Sequence, residues 1–94
     1  MKQITSEEAR DLIARKSITI IDVRTPDEFE EEHLERALNL DFRSEDFEEK
    51  ISALDKNKPY LVHCHSGGRA CKAGELMDKL GFQDVTVVKG KMFE

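Results

Sequence analysis

Three short apolar runs set the terms on which this chain can fold. They are Ile18-Thr19-Ile20-Ile21, Tyr60-Leu61-Val62-His63 and Val85-Thr86-Val87-Val88. Each is rich in β-branched or large apolar residues and bounded by polar ones, so each reads as a buried strand. Helical patterns lie between them. Thr5 and Glu8 have capping-box spacing, Ile4 and Ala9 stand at hydrophobic-staple positions, and Leu12 and Ile13 extend the apolar face toward Lys16. Thr25-Pro26-Asp27-Glu28 places Thr at an N-cap, Pro at N1 and Glu at N3, with Phe29 as the inward residue of a short helix. Ser44 is the expected cap of a third helix, in which Phe47, Ile51 and Leu54 fall at i, i+4 and i+7. From Arg69 a fourth helix carries Ala70, Ala73, Leu76, Met77 and Leu80 on one face and stops at Gly81. Ala37-Leu38-Asn39-Leu40 is a weaker strand candidate. Pro26 and Pro59 fall at element edges. Short buried strands alternating with helices require crossover connections. The expected fold is therefore α/β: a small, open, mostly parallel sheet with helices on both faces.

Length and charge narrow the function classes. At 94 residues one core fits, so residues 1–94 are read as a single domain. With 38% apolar and 37% charged residues, the chain is too apolar to be disordered. Its net charge of −5, with no basic block, argues against nucleic acid as a partner. No run approaches the ~18 apolar residues that span a bilayer, and Met1-Lys2-Gln3-Ile4 lacks a signal-peptide stretch. The expectation is a cytoplasmic monomer in which Cys64 and Cys71 are reduced thiols. Adjacent His63, Cys64 and His65 lack the paired spacing that completes a zinc set, so neither metal nor cofactor is expected. His63 reads as a strand-end residue satisfied by a backbone hydrogen bond, and His33 as a structural hydrogen-bonder.

In open parallel sheets the chemistry sits beyond the carboxyl ends of the strands. Asp22-Val23-Arg24 follows the first apolar run, and His63-Cys64-His65-Ser66-Gly67-Gly68-Arg69 follows the second. The latter passes from strand to glycine-containing loop to helix. Such a loop aims backbone N–H groups at an anion, and the helix dipole adds positive potential. A thiolate is an anion, so this setting favours Cys64 as a nucleophile, with Arg69 as a fixed charge nearby. Gly67 and Gly68 let the backbone wrap closely. A buried cysteine is more often a core filler. That reading suits Cys71, one position after Ala70 in the helix, although a protective bridge from Cys71 to Cys64 is the alternative. It suits Cys64 poorly, because a filler does not call for a Gly-Gly turn followed by Arg.

Cys64-His65-Ser66-Gly67-Gly68-Arg69-Ala70 resembles the active-site loop of the single-domain rhodaneses, a family of sulfurtransferases. Ile20-Ile21-Asp22-Val23-Arg24-Thr25-Pro26-Asp27-Glu28-Phe29 is similar to the upstream motif of that family, and Glu32 to Leu40 to its continuation. The resemblance covers nearly the whole chain in the expected order. It implies a two-step transfer in which Cys64 takes the outer sulfur of a donor such as thiosulfate, becomes a persulfide, and passes that sulfur to cyanide, to another thiol or to a sulfur-relay protein. It further implies that Arg69 holds the loop and orients the donor. Asp22 and Arg24 would then support the loop by hydrogen bonds and ion pairing, while His65 and Ser66 face the substrate. The sequence departs from the family pattern at Glu32, where a Gly usually precedes the histidine, and at Glu35-Arg36, where Pro-Gly is usual. It also stops at Gly90-Lys91-Met92-Phe93-Glu94, short of the family's final segment.

Two other functions compete. A cysteine phosphatase or arsenate reductase places five residues between Cys and Arg, whereas four separate Cys64 from Arg69 here. The smaller cradle suits one sulfur atom better than a tetrahedral oxyanion. A catalytically idle module for protein binding would use Asp27-Glu28 and Glu30-Glu31-Glu32 as a docking face. Such a run is more often a solvated helix surface, and idle forms often lack the cysteine.

Overall fold

Thr5 starts the first helix as its spacing demands. The side-chain oxygen of Thr5 accepts the Glu8 amide while the Glu8 carboxylate accepts the Thr5 amide, so both halves of the capping box are closed. This computed structural model describes residues 1–93. It contains β1 (Lys2–Ile4), α1 (Ser6–Arg15), β2 (Thr19–Asp22), α2 (Pro26–Glu31), β3 (Leu38–Asn39), α3 (Phe47–Ser52), β4 (Pro59–His63), α4 (Gly68–Lys79) and β5 (Asp84–Val88). Strand order is β1-β5-β4-β2-β3, and every pairing is parallel. The expected α/β architecture is present. β1 is an addition to it: Lys2–Ile4, where no strand is expected from the sequence, pairs with β5, Lys2 opposite Thr86 and Ile4 opposite Val88.

The inner strands β2, β4 and β5 are buried on both faces, and their residues divide by parity. Ile21, Val62 and Val87 point into one cluster with Ala70, Ala73 and Met77 of α4 and Phe47 and Ile51 of α3. Ile20, Leu61 and Val88 point the opposite way, against Ala9, Leu12 and Ile13 of α1 and Met92. Helices therefore cover both faces. Ile21, Ile51, Leu61 and Met77 are fully enclosed, each worth about 1.5–3 kcal/mol of transfer free energy.

Two local expectations need correction. Ser44 does not cap α3. The N-cap is Asp46, which makes no side-chain cap bond, and the Ser44 hydroxyl instead donates to the Asp46 carboxylate. Phe29 is not buried inward from α2 but half-exposed, with its ring stacked on His33 at 3.9 Å. The end of α4 follows expectation. Gly81 takes φ +92, its amide bonds the Asp78 carbonyl, and the Phe82 amide reaches back to Met77, which is a complete Schellman motif. Phe82 then packs edge-on against Tyr60.

Candidate active site

β2 and β4 are neighbours in the sheet, with Asp22 opposite His63, and from their ends the chain departs toward opposite sides of the sheet. That is the switch point at which open α/β sheets place their ligands. Cys64 leaves β4 there. Its side chain is only 1% exposed and lies among Val23, Val62 and Ala70. The sulfur nevertheless accepts two amides, from Gly67 at 3.1 Å and from Ala70 at 3.3 Å. The first amides of α4 have no intrahelical acceptor, and its N-cap, Gly67, has no side chain to satisfy them. Cys64 Sγ takes that role, at the positive end of the helix dipole. Two backbone donors thus converge on the sulfur of the residue that the sequence singles out.

The two loop glycines are not equivalent. Gly67 has φ +102, and a Cβ there would lie 2.8 Å from the backbone nitrogen of Gly90. Only glycine fits without displacing the chain. Gly68 is already the first residue of α4, with open space where a Cβ would sit. The expected demand for glycine therefore narrows to one position.

Arg69 stands at the end of the loop and is engaged by a carboxylate. Its guanidinium forms a two-pronged pair with the Glu28 carboxylate, at 2.8 and 3.1 Å. This pair ties the start of α4 to the start of α2. Arg69, with smaller help from the Thr25 amide and hydroxyl and against a desolvation penalty, pulls the Glu28 carboxyl down to about 2. Glu28 also completes the capping box that its spacing predicts, and its pairing with Arg69 is not among the sequence expectations. His65 and Ser66 are both exposed and border different grooves. His65 faces a 260 Å³ groove with Glu28, Glu31 and Glu32, and Ser66 a 400 Å³ groove with Arg43, Arg69 and Lys72.

Asp22 and Arg24 were expected to support the cysteine loop. They pair with each other instead, the Arg24 fork donating to Asp22 at 2.7–3.1 Å. Arg24 Nη2 also donates to the Glu32 carbonyl at 2.5 Å, and its guanidinium lies 4.9 Å from the centre of the Phe93 ring. Among the described residues, the side-chain bonds of this pair stay on the α2 side of the cleft and do not reach residues 65–68. The link to β4 is made by backbone, the Val23 amide donating to the His63 carbonyl. Asn39 bonds the carbonyls of both Asp22 and Arg24. Neither Asn39 nor Phe93 had been singled out. Asn39 was hidden in a weak strand signal, and nothing local marks Phe93.

The histidines divide. His33 meets expectation, its Nδ1 lying 2.7 Å from the Phe29 carbonyl oxygen. His63 does not: it is fully buried and neither ring nitrogen has a hydrogen-bond partner among the described residues. Its closest charged neighbour is Asp22, at 3.6 Å. Burial lowers its pKa despite that carboxylate, so the ring is held neutral. Cys71 is half-buried beside Gln3 of β1, whose amide lies 3.9 Å from its sulfur, so it is no core filler. Both thiols are free. Among the described residues no cluster of His, Cys, Asp and Glu could hold a metal ion, and no helix is long and apolar enough to cross a membrane.

This arrangement has counterparts among known proteins. The thiosulfate sulfurtransferase GlpE of Coxiella burnetii is 38% identical over 85 residues, covering 89% of this chain and 77% of the relative. The enzyme of the same name from Pseudomonas syringae is 34% identical over 90 residues, covering 95% of this chain and 81% of the relative. The crystal structure of a rhodanese-like domain protein from Staphylococcus aureus superposes with a TM-score of 0.86 at 28% identity, over 98% of this chain and 88% of that one. The model of the rhodanese-like domain matches residues 5–94, and the chain belongs to that family.

Proposed function

We propose that this protein is a sulfurtransferase that carries a sulfane sulfur on Cys64. The observation behind this reading is the pair of amides converging on a buried sulfur at the N-terminus of α4. In the first half-reaction the Cys64 thiolate attacks the outer sulfur of thiosulfate. The S–S bond of the donor breaks, sulfite leaves with the electron pair, and Cys64 becomes a persulfide. In the second, cyanide or a thiol takes the outer sulfur and the thiolate is restored. The names of the relatives support thiosulfate as a donor. Gly67 and Ala70 donate to the cysteine sulfur, which is the leaving group of the second step, and so stabilise its returning charge. Reduced thiols are needed for this cycle, which suits a cytoplasmic setting.

The phosphatase alternative loses ground on Arg69. An oxyanion cradle needs that guanidinium free for the substrate, and here both prongs engage Glu28. The idle binding module loses ground on Cys64, whose contacts are those of a nucleophile rather than of an inert filler.

Steady-state thiocyanate formation from thiosulfate and cyanide tests the proposal. The expected pattern is a set of parallel double-reciprocal lines, the mark of a substituted-enzyme cycle. Cys64→Ser should lose at least about 10³-fold in rate, the scale at which a nucleophile's removal is felt, with the fold unchanged by circular dichroism. Intersecting lines, or activity retained in the variant, contradict the proposal.

A further inference from the structure

Among the described residues, the buried side-chain polar atoms left without a hydrogen bond both belong to His63. Such a group is costly to keep, and folded proteins keep few of them. The ring is fully enclosed. On the β2 side it meets Asp22 at 3.6 Å, but both oxygens of that carboxylate are already taken by Arg24. The cations that bear on the ring are Arg24 and, from α1, Arg10. Its cover is the segment 89–93. Phe93 lies edge-on to the ring at 5.8 Å, and the Met92 carbonyl is held by Arg10. Phe93 is only half-buried and also borders the 260 Å³ groove, so one side chain touches both the buried imidazole and an open cleft. The segment reaches the cysteine as well. The backbone of Lys89 and Gly90 lies against Gly67, whose amide donates to Cys64 Sγ.

We infer that residues 89–93 form a strap that stays closed over neutral His63 and is released when that ring takes up a proton. In the closed state an imidazolium would sit beside Arg24 and Arg10, shielded from water. Asp22, the carboxylate that faces it, is occupied by Arg24. Release of Phe93 and Met92 admits water from the groove and solvates the new charge. Burial accordingly holds the ring below its ordinary value of 6.5. A group depressed in this way favours the closed state fully above 6.5. That support is lost as pH falls below it, by up to about tenfold in the closed-to-open ratio per pH unit. Opening also takes the Gly90 backbone away from Gly67, so the strap bears on one of the two amides that serve the Cys64 sulfur.

An NMR titration of the full chain from about pH 7.5 to about pH 5 tests this, a range above the ordinary values of carboxylates. Imidazole carbon shifts read the proton on His63, and relaxation dispersion at the amides of Gly67, Gly90 and Phe93 reads the open population. In the native protein that population should grow at least about tenfold across the range, in step with protonation of the ring. His63→Phe keeps a flat ring in the slot and takes no proton, so its open population should stay constant within about twofold. His63→Gln, also uncharged, should give the same flat response and serves where the phenylalanine variant does not fold. His33 and His65 titrate in every variant, so their contribution cancels in the comparison. Protonation of the ring with all three amides unmoved overturns the inference, since Asp22 would then serve the imidazolium in place. A native-like transition in the uncharged variants overturns it too, as does a native ring that stays neutral with the strap unchanged.

Discussion

Arg36 sits at φ +70, in the left-handed region that side chains rarely adopt. The family's usual Pro-Gly falls at Glu35-Arg36, so an arginine here takes a conformation that glycine adopts freely, at a cost of about 1–2 kcal/mol. Glu32, the other departure, is extended at φ −164 and carries no such strain. The sequence could flag both positions, because motif spacing is local. It could not reveal the Glu28–Arg69 pair, whose partners are 41 residues apart and meet only once α2 and α4 flank the same cleft. This pair has a pH signature. The folded carboxyl of Glu28 lies near 2 against an ordinary value of 4.5. Its contribution to stability is complete above the ordinary value and is lost as pH falls from there toward 2. Glu28→Gln retains a capping side chain but not the charge. Thermal midpoints should place the native protein above this variant at pH 7 and narrow the gap steadily as pH falls from about 4.5 through about 2, following the same linkage. A gap that does not vary with pH contradicts the pair's role. His63 shows the same limit of sequence reading, since a partnerless buried ring depends on what the rest of the chain leaves around it.

Among the elements, those with complete local signals were legible in full. The capping boxes at Thr5 and Thr25, Pro26 at N1 and the Gly81 stop all stand where their spacing placed them. The apolar runs became β2, β4 and β5 because strands covered on both faces need little beyond continuous hydrophobicity. β1 escaped notice because an edge strand of three residues, Lys2–Ile4, carries no such run, and its pairing is supplied entirely by β5. The Ser44 cap failed for a different reason: the helix takes Asp46 as its N-cap, two residues later, and the Ser44 hydroxyl donates to the Asp46 carboxylate instead of accepting a helix amide. α4 lies on β5 through Gly74, where a Cβ would come within 2.5 Å of Val87 Cγ2 and 2.6 Å of Met1 Sδ. Gly74→Ala should therefore lower stability by about 1–2 kcal/mol through overpacking, although alanine favours an isolated helix by about 1 kcal/mol. Urea denaturation measures this. A more stable variant would mean that Val87 and Met1 yield freely and that the close approach of α4 is not a constraint.

For the whole molecule, the candidate site is a product of topology. Central β4 delivers Cys64, its neighbour β2 delivers Asp22 and Arg24, and β3 contributes Asn39, which bonds the carbonyls at the end of β2. The C-terminal segment closes the far side, with Phe93 over Arg24 and edge-on to His63, and with the Met92 carbonyl held by Arg10 of α1 at 2.7 Å. The sequence pointed to the strand-loop-helix around Cys64. It could not assign Asp22 and Arg24 to the opposite wall, because nothing local tells which partners a charged pair will choose. What the fold accomplishes is to bury a cysteine and still bring two backbone donors to its sulfur. Mass spectrometry of the protein after thiosulfate treatment and proteolysis tests that claim most directly. The account predicts a gain of about 32 Da, one sulfur atom in the persulfide form, on the peptide that contains Cys64 and its removal by cyanide. No gain, or a gain carried by Cys71 instead, would contradict it.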